Sequence, residues 1–186
     1  TFAVYMRREN SNDEFPEGLE IRENIINENG YTGIYLQYHQ APDFYGNTIS
    51  ASTYGIQAIN CDNALSIRRN KINVGTINGI YLSNCKGTEF DPGWIVNNFV
   101  YVGGSGQSAG IRLQNCYYQY LYFNNVHTSS ANSSSRTLYI SSGSNIELTN
   151  NIFMNSGGGY SYYISSPTAI SSSDYNDLFT NGTNLA

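Results

Sequence analysis

The sequence predicts an all-β solenoid of about seven stacked coils, each built of three short strands, with little or no helix. A phrase of Gly, apolar, any residue, apolar recurs as GIYL at 33–36, GIQA at 55–58, GIYL at 79–82 and GIRL at 110–113, with looser copies AVYM at 3–6, TLYI at 137–140 and SYYI at 161–164. A second phrase, an Asn followed two positions later by an apolar residue, falls between these copies. Both advance together in steps of 22 to 31 residues. Two independent markers on one period define a repeat, and a repeat this short buries its inner face only by stacking on its neighbours.

The first strand of each coil is the Gly-apolar phrase itself, whose alternation is that of a half-buried strand. The second carries an apolar residue three places before the Asn, at Ile21, Phe44, Ile67, Ile95 and Leu121. The third carries the apolar residue after the Asn, in the pairs Asn24 with Ile26, Asn47 with Ile49, Asn70 with Ile72, Asn98 with Val100, Asn124 with Val126 and Asn150 with Ile152. In the sixth copy the residue three before Asn150 is Glu147, so the turn there is expected to shift by one. The segment from Ala169 reads as a last partial copy with Asp174 near the Asn position. Asn, Gly and Ser separate the strands, as turn chemistry requires, and no stretch sustains a 3.6-residue period. Leucine-rich repeats have a similar length, but here the return limbs are strand-like.

Period-two alternation turns Val4, Ile34, Ile56, Ile80, Ile111, Leu138 and Tyr162 inward. The residues two further on, Met6, Leu36, Ala58, Leu82, Leu113, Ile140 and Ile164, follow them. The residue between points out, giving a column of Tyr5, Tyr35, Gln57, Tyr81, Arg112, Tyr139 and Tyr163. At about 4.8 Å per coil this is a strip roughly 30 Å long. Aromatic faces with hydroxyl rims can stack on sugar rings and hydrogen-bond their hydroxyls. Tyr is equally a favoured residue on a half-exposed sheet, where rings stack on one another. Connections at 101–110, 127–137, 154–160 and 83–93 flank this strand and are expected to wall a groove over the strip.

Cys61, Cys85 and Cys116 each lie six residues after the Gly of the first strand, which places them in one column on successive coils. They read as buried thiols filling the core, since neither a His nor a second Cys pair accompanies them as a metal site would require. The equivalent positions in other coils are His39, Gly143 and Pro167.

The phrases GIYLSNC, LSIRRNKI and IELTNNIF resemble the right-handed parallel β-helix repeats of the pectate-lyase-like superfamily, over nearly the whole chain. The resemblance implies a right-handed parallel β-helix and a ladder of stacked Asn side chains at the turn between second and third strands. Asn also suits that place physically: it tolerates the left-handed conformation of a tight bend, and its amide both donates and accepts between coils. The superfamily holds lyases, hydrolases, epimerases, tailspikes and stalks, so activity does not follow from fold. Its pectin-degrading hydrolases carry Asn-Thr-Asp, Asp-Asp, Gly-His-Gly and Arg-Ile-Lys, none of which occurs here. A lyase would need a basic proton acceptor and often a Ca²⁺ site of several carboxylates, and Arg112 with Lys86, Glu89 and Asp91 of the preceding loop is the cluster that approximates this.

Composition sets the remaining bounds. The 186 residues are 12% charged and 14% aromatic, which suits a folded rather than a disordered chain. Nine Lys plus Arg against fourteen Asp plus Glu argue against a nucleic-acid partner. No apolar run is long enough to span a bilayer. Residues 1–186 are expected to form one β-helix domain, a piece of a longer, extracellular or cell-surface protein. Its expected role is non-catalytic: carbohydrate binding through Tyr35, Gln57, Tyr81, Arg112, Tyr139 and Tyr163, with a polysaccharide or surface glycan as partner, or service as a rigid spacer. The alternative is a polysaccharide lyase or glycoside hydrolase working along the same strand face. No metal and no cofactor are expected, with Ca²⁺ entering only under the lyase alternative. The oligomeric state does not follow from the sequence.

Overall fold

The computed structural model describes residues 2–7, 18–28 and 30–186. Seven strands form each of three parallel sheets, and each coil contributes one strand to every sheet. The first sheet collects Phe2–Arg7, Thr32–Gln37, Tyr54–Ile59, Asn78–Ser83, Ala109–Gln114, Arg136–Ile140 and Tyr160–Ile164. The second runs from Glu20–Arg22 to Ile170–Asp174, and the third from Ile25–Glu28 to Asp177–Thr180. Among the described residues the only helical turn is the 3₁₀ segment Pro167–Ala169. The chain is a right-handed parallel β-helix with three strands per coil.

Register holds from coil to coil. Ile34 pairs Ile56, Ile56 pairs Ile80, Ile80 pairs Ile111 and Ile111 pairs Leu138, and all five are fully buried. The companion column from Leu36 to Ile140 is buried in the same way. The end coils lack one stacking neighbour, so the expected core positions loosen there: Met6 is 37% exposed, and Val4, Tyr162 and Ile164 are only partly buried. The first-strand glycines have a steric cause. A Cβ at Gly79 would lie 2.1 Å from Val100 Cγ1 and 2.6 Å from the Gly110 carbonyl oxygen, because the third sheet folds tightly into the first at this bend.

The Asn ladder lies between second and third sheets, with two corrections to its expected form. The left-handed residue is the one before each ladder Asn: Glu23, Gly46, Arg69, Asn97, Phe123, Asn150 and Tyr175 all have φ between 52° and 66°. The ladder Asn contributes hydrogen bonds rather than the bend. Asn98 donates from Nδ2 to the Ile67 carbonyl at 2.8 Å and to Asn124 Oδ1 at 3.0 Å. Its Oδ1 accepts from the Asn70 backbone N–H and from Asn70 Nδ2, both at 3.0 Å. The second correction concerns register. In the sixth coil the ladder residue is Asn151, not Asn150, and in the seventh it is Asn176, not Asp174. Leu148 then stands three before Asn151, Phe153 turns inward and Ile152 is exposed, so no shift of the turn occurs. The seventh coil is also complete, with Asp177–Thr180 paired to Ile152–Asn155.

The thiols form their column at the turn between first and second sheets. Cys61, Cys85 and Cys116 are free and fully buried, and each Sγ–H points at a backbone carbonyl, from Cys85 to Ala58 at 3.5 Å and from Cys116 to Leu82 at 3.5 Å. Burial, reinforced by its two thiol neighbours, pushes the Cys85 thiol well above its ordinary range, so it stays protonated and unreactive.

Candidate functional site

The outward column of the first sheet is assembled as the alternation requires. Tyr5 pairs Tyr35, Tyr35 pairs Gln57, Gln57 pairs Tyr81, Tyr81 pairs Arg112, Arg112 pairs Tyr139 and Tyr139 pairs Tyr163. The rings do not lie flat on the surface. Tyr5 and Tyr35 stack on each other with centroids 5.1 Å apart and planes 11° from parallel, so their faces are spent on one another and their edges and hydroxyls are what a ligand meets. Gln37 accepts from the Tyr35 hydroxyl, and Gln114 accepts from both the Tyr81 hydroxyl at 3.0 Å and Arg112 Nη2 at 3.2 Å. Burial, then the neighbouring Tyr5, raises the Tyr35 phenol above its usual value, and it stays a neutral hydroxyl through the physiological range.

A second outward column runs beside the first, three positions earlier in each strand. Its members include Phe2, Tyr54, Asn78, Arg136 and Tyr160. Phe2 packs on Tyr5 and Tyr35, Tyr54 on Tyr81, and Tyr160 on Tyr163. Sequence alternation missed this column, because Asn78 shares parity with inward Ile80 and the bend at Gly79 breaks the rule. The available signal was the identity of the residue before each first-strand Gly.

Arg112 and Arg136 are threaded between rings. The Arg112 guanidinium carbon is 5.2 Å from the Tyr81 and Tyr139 ring centroids, and that of Arg136 is 4.3 Å from those of Tyr139 and Tyr163. Cation–π attraction of this kind is worth about 0.5–2 kcal/mol a pair. Among the described residues neither guanidinium has a carboxylate within ion-pair distance; the ion pairs there join Arg22 to Glu20 and Asp43, and Arg68 to Asp43. Beside the two arginines is a cavity of about 290 Å³, lined also by Ile77, Asn78, Gln107, Ser108, Ala109 and Tyr139. Of the expected groove walls, the connection preceding Ala109 supplies Gln107 and Ser108 here, on the side where the strands begin.

Lys86 and Asp91 lie elsewhere, in the turn between first and second sheets. The Lys86 backbone N–H donates to Asp62 Oδ1 at 3.0 Å, and the Asp91 N–H donates to Thr88 Oγ1 at 3.0 Å. Among the described residues no hydrogen bond or ion pair connects either of them to Arg112. In the RRNK segment Arg68, Arg69 and Lys71 are exposed, Arg68 and Arg69 flank the Tyr45 ring, and Arg68 pairs with Asp43. Two further outward patches escaped the sequence reading. On the second sheet Trp94, Tyr120 and Tyr122 pack together, and the Tyr122 hydroxyl donates to Glu147 Oε2. On the third, Phe99, Tyr101, His127, Ile152 and Met154 line an apolar groove of about 760 Å³.

The family model described as periplasmic copper-binding protein (NosD) matches residues 3–108. No curated protein and no solved structure matches the chain. A copper ion would need several thiolate, thioether or imidazole donors converging on one point. Among the described residues no three His, Cys, Asp or Glu side chains form such a group, and the three thiols are stacked one per coil in the core, each turned to a carbonyl. Among the described residues the His, Cys and carboxylate side chains therefore do not supply the converging set that the metal in the family's description needs. The match covers more than half of the chain and agrees with its coil architecture, and the chain belongs to the NosD family of periplasmic β-helix proteins.

Proposed function

We propose that the chain is a non-catalytic β-helical scaffold, working outside the cytoplasm, that binds carbohydrate along the outward face of its first sheet. The observation that carries this reading is the unbroken outward column from Tyr5 to Tyr163, in which tyrosine hydroxyls, one Gln and one guanidinium recur at the coil spacing. Because Tyr5 stacks on Tyr35 and the guanidiniums of Arg112 and Arg136 lie over the rings of Tyr81, Tyr139 and Tyr163, recognition runs through hydroxyl rims and side-chain amides, which suit a hydroxyl-rich chain laid along the helix axis. The catalytic alternative finds less support, since Arg112, Lys86 and Asp91 are not brought together.

Calorimetric titration with a panel of neutral and acidic oligosaccharides tests the reading. Tyr139→Phe combined with Tyr163→Phe keeps both rings and removes two hydroxyls. Each lost hydrogen bond is worth about 1 kcal/mol, so the double variant should bind its oligosaccharide at least about fivefold more weakly with an unchanged melting temperature. A folded wild-type protein that binds no member of the panel reduces the segment to a rigid spacer.

A further inference from the structure

We propose that Arg112 and Arg136, with Asn78 and Ser108, form a pocket for a single oxyanionic group: a carboxylate, sulfate or phosphate. Four polar atoms at this place are buried without a hydrogen-bond partner: Asn78 Nδ2, Ser108 Oγ, Arg112 Nε and Arg136 Nε. All four residues line the same cavity. Leaving a buried donor unpaired costs about 1–3 kcal/mol, more when it is charged. Four together, where the Asn ladder leaves none, mark groups held for something that arrives. Asn78 and Ser108 are 2% and 3% exposed, so water does not compensate them freely.

The chemistry of the occupant follows from the donors. Both guanidiniums are permanently cationic, lack carboxylate partners and are held in fixed planes by the rings of Tyr81, Tyr139 and Tyr163. The amide and hydroxyl can add N–H and O–H donors, and none of the cavity's lining side chains carries a negative charge. A planar fork of donors selects an oxyanion over a halide or a neutral hydroxyl. The cavity, about 290 Å³, is at the small end of ligand sites and holds an acidic group together with the ring that bears it. The pocket does not depend on neutral carbohydrate binding elsewhere on the face.

The test titrates the wild-type chain, at low ionic strength, with sulfate, inorganic phosphate, glucuronate and glucose, following the Arg Nε–H resonances by NMR. Saturable binding of at least one anion below about 10 mM is expected, with shifts at Arg112 and Arg136 and none with glucose. Arg136→Gln and Arg112→Gln should each weaken that binding at least about tenfold, Arg136→Lys less so, and the exposed Lys71→Gln not at all. Glucuronate tighter than both inorganic anions identifies an acidic saccharide as the source of the group; the reverse identifies a free anion. Glucose matching glucuronate, no saturable anion binding, or anion binding that leaves both Nε–H signals unmoved overturns the pocket. These last two readouts use wild-type protein and stand even where an Arg variant fails to fold. Binding of inorganic anions without binding of any neutral or acidic oligosaccharide would sink the broader carbohydrate reading and leave the pocket intact.

Discussion

Asn78 and Asn98 belong to the same coil and are about equally buried, at 2% and 0% exposure, yet their side chains have opposite fates. Asn98 sits in the ladder and makes four side-chain hydrogen bonds, two given and two received, to the coils on either side. Asn78 opens a strand of the first sheet, and its Nδ2 has no partner. Burial alone therefore does not separate a structural amide from a functional one. Saturation does, because a solenoid can satisfy identical groups only where every coil offers the same group at the same height.

The largest effect is expected at the saturated member. Asn98→Ala removes four hydrogen bonds and leaves the Ile67 carbonyl, Asn124 Oδ1 and two Asn70 donors short of a partner in a dry turn. A loss of about 3–5 kcal/mol is expected, read as a lower urea midpoint by circular dichroism. In a repeat array the loss can also surface as an early, separate transition of the coils on one side of the break. A cost below about 1 kcal/mol would break the comparison, since the ladder would then be ornament on a core that holds without it.

Next comes the bend that holds Asn78 in place. Gly79→Ala would set a methyl 2.1 Å from Val100 Cγ1 and 2.6 Å from the Gly110 carbonyl oxygen. Overpacking of this kind costs about 1–3 kcal/mol, and the strand start must move to relieve it. The sixth coil shows what accommodation looks like: Thr137 stands at the equivalent place, fully buried, with its Oγ1 donating to the Met154 carbonyl at 3.0 Å. Thermal unfolding of Gly79→Ala beside Thr137→Ala would sharpen the contrast. The first should lower the melting temperature by steric pressure and the second only by one lost hydrogen bond, about 1 kcal/mol.

The two asparagines also divide what the sequence could disclose. The ladder was legible in five coils because one side chain does one job at one spacing. It slipped in the sixth, where the doublet Asn150–Asn151 offers two candidates and only the apolar residue three places earlier, Leu148 rather than Glu147, decides between them. The column from Tyr5 to Tyr163 was legible for the same reason, as was the thiol column. The pocket was not. Arg136 and Asn78 precede a tight bend, where parity assigns them to the core, and their approach to Arg112 depends on connections of unequal length that no repeat encodes. The stacking of Tyr5 on Tyr35 was equally hidden, because alternation tells which side a ring is on and not which way it faces.

The smallest expected effect is the most discriminating. Asn78→Ala in the ligand-free protein deletes a buried donor that nothing satisfies, which removes a desolvation penalty of about 1–3 kcal/mol while giving up some packing against its neighbours. The two contributions oppose each other, so the net change should lie within about 0.5 kcal/mol of zero, or be slightly stabilising. The same substitution in the presence of a saturating anion should forfeit part of the stabilisation that the anion gives the wild type, since ligand bound to the folded state alone adds to stability by mass action. Paired melting curves with and without anion read both quantities. A ligand-free loss above about 2 kcal/mol would show that Asn78 already has structural work in the empty protein. The two asparagines would then differ in degree and not in kind.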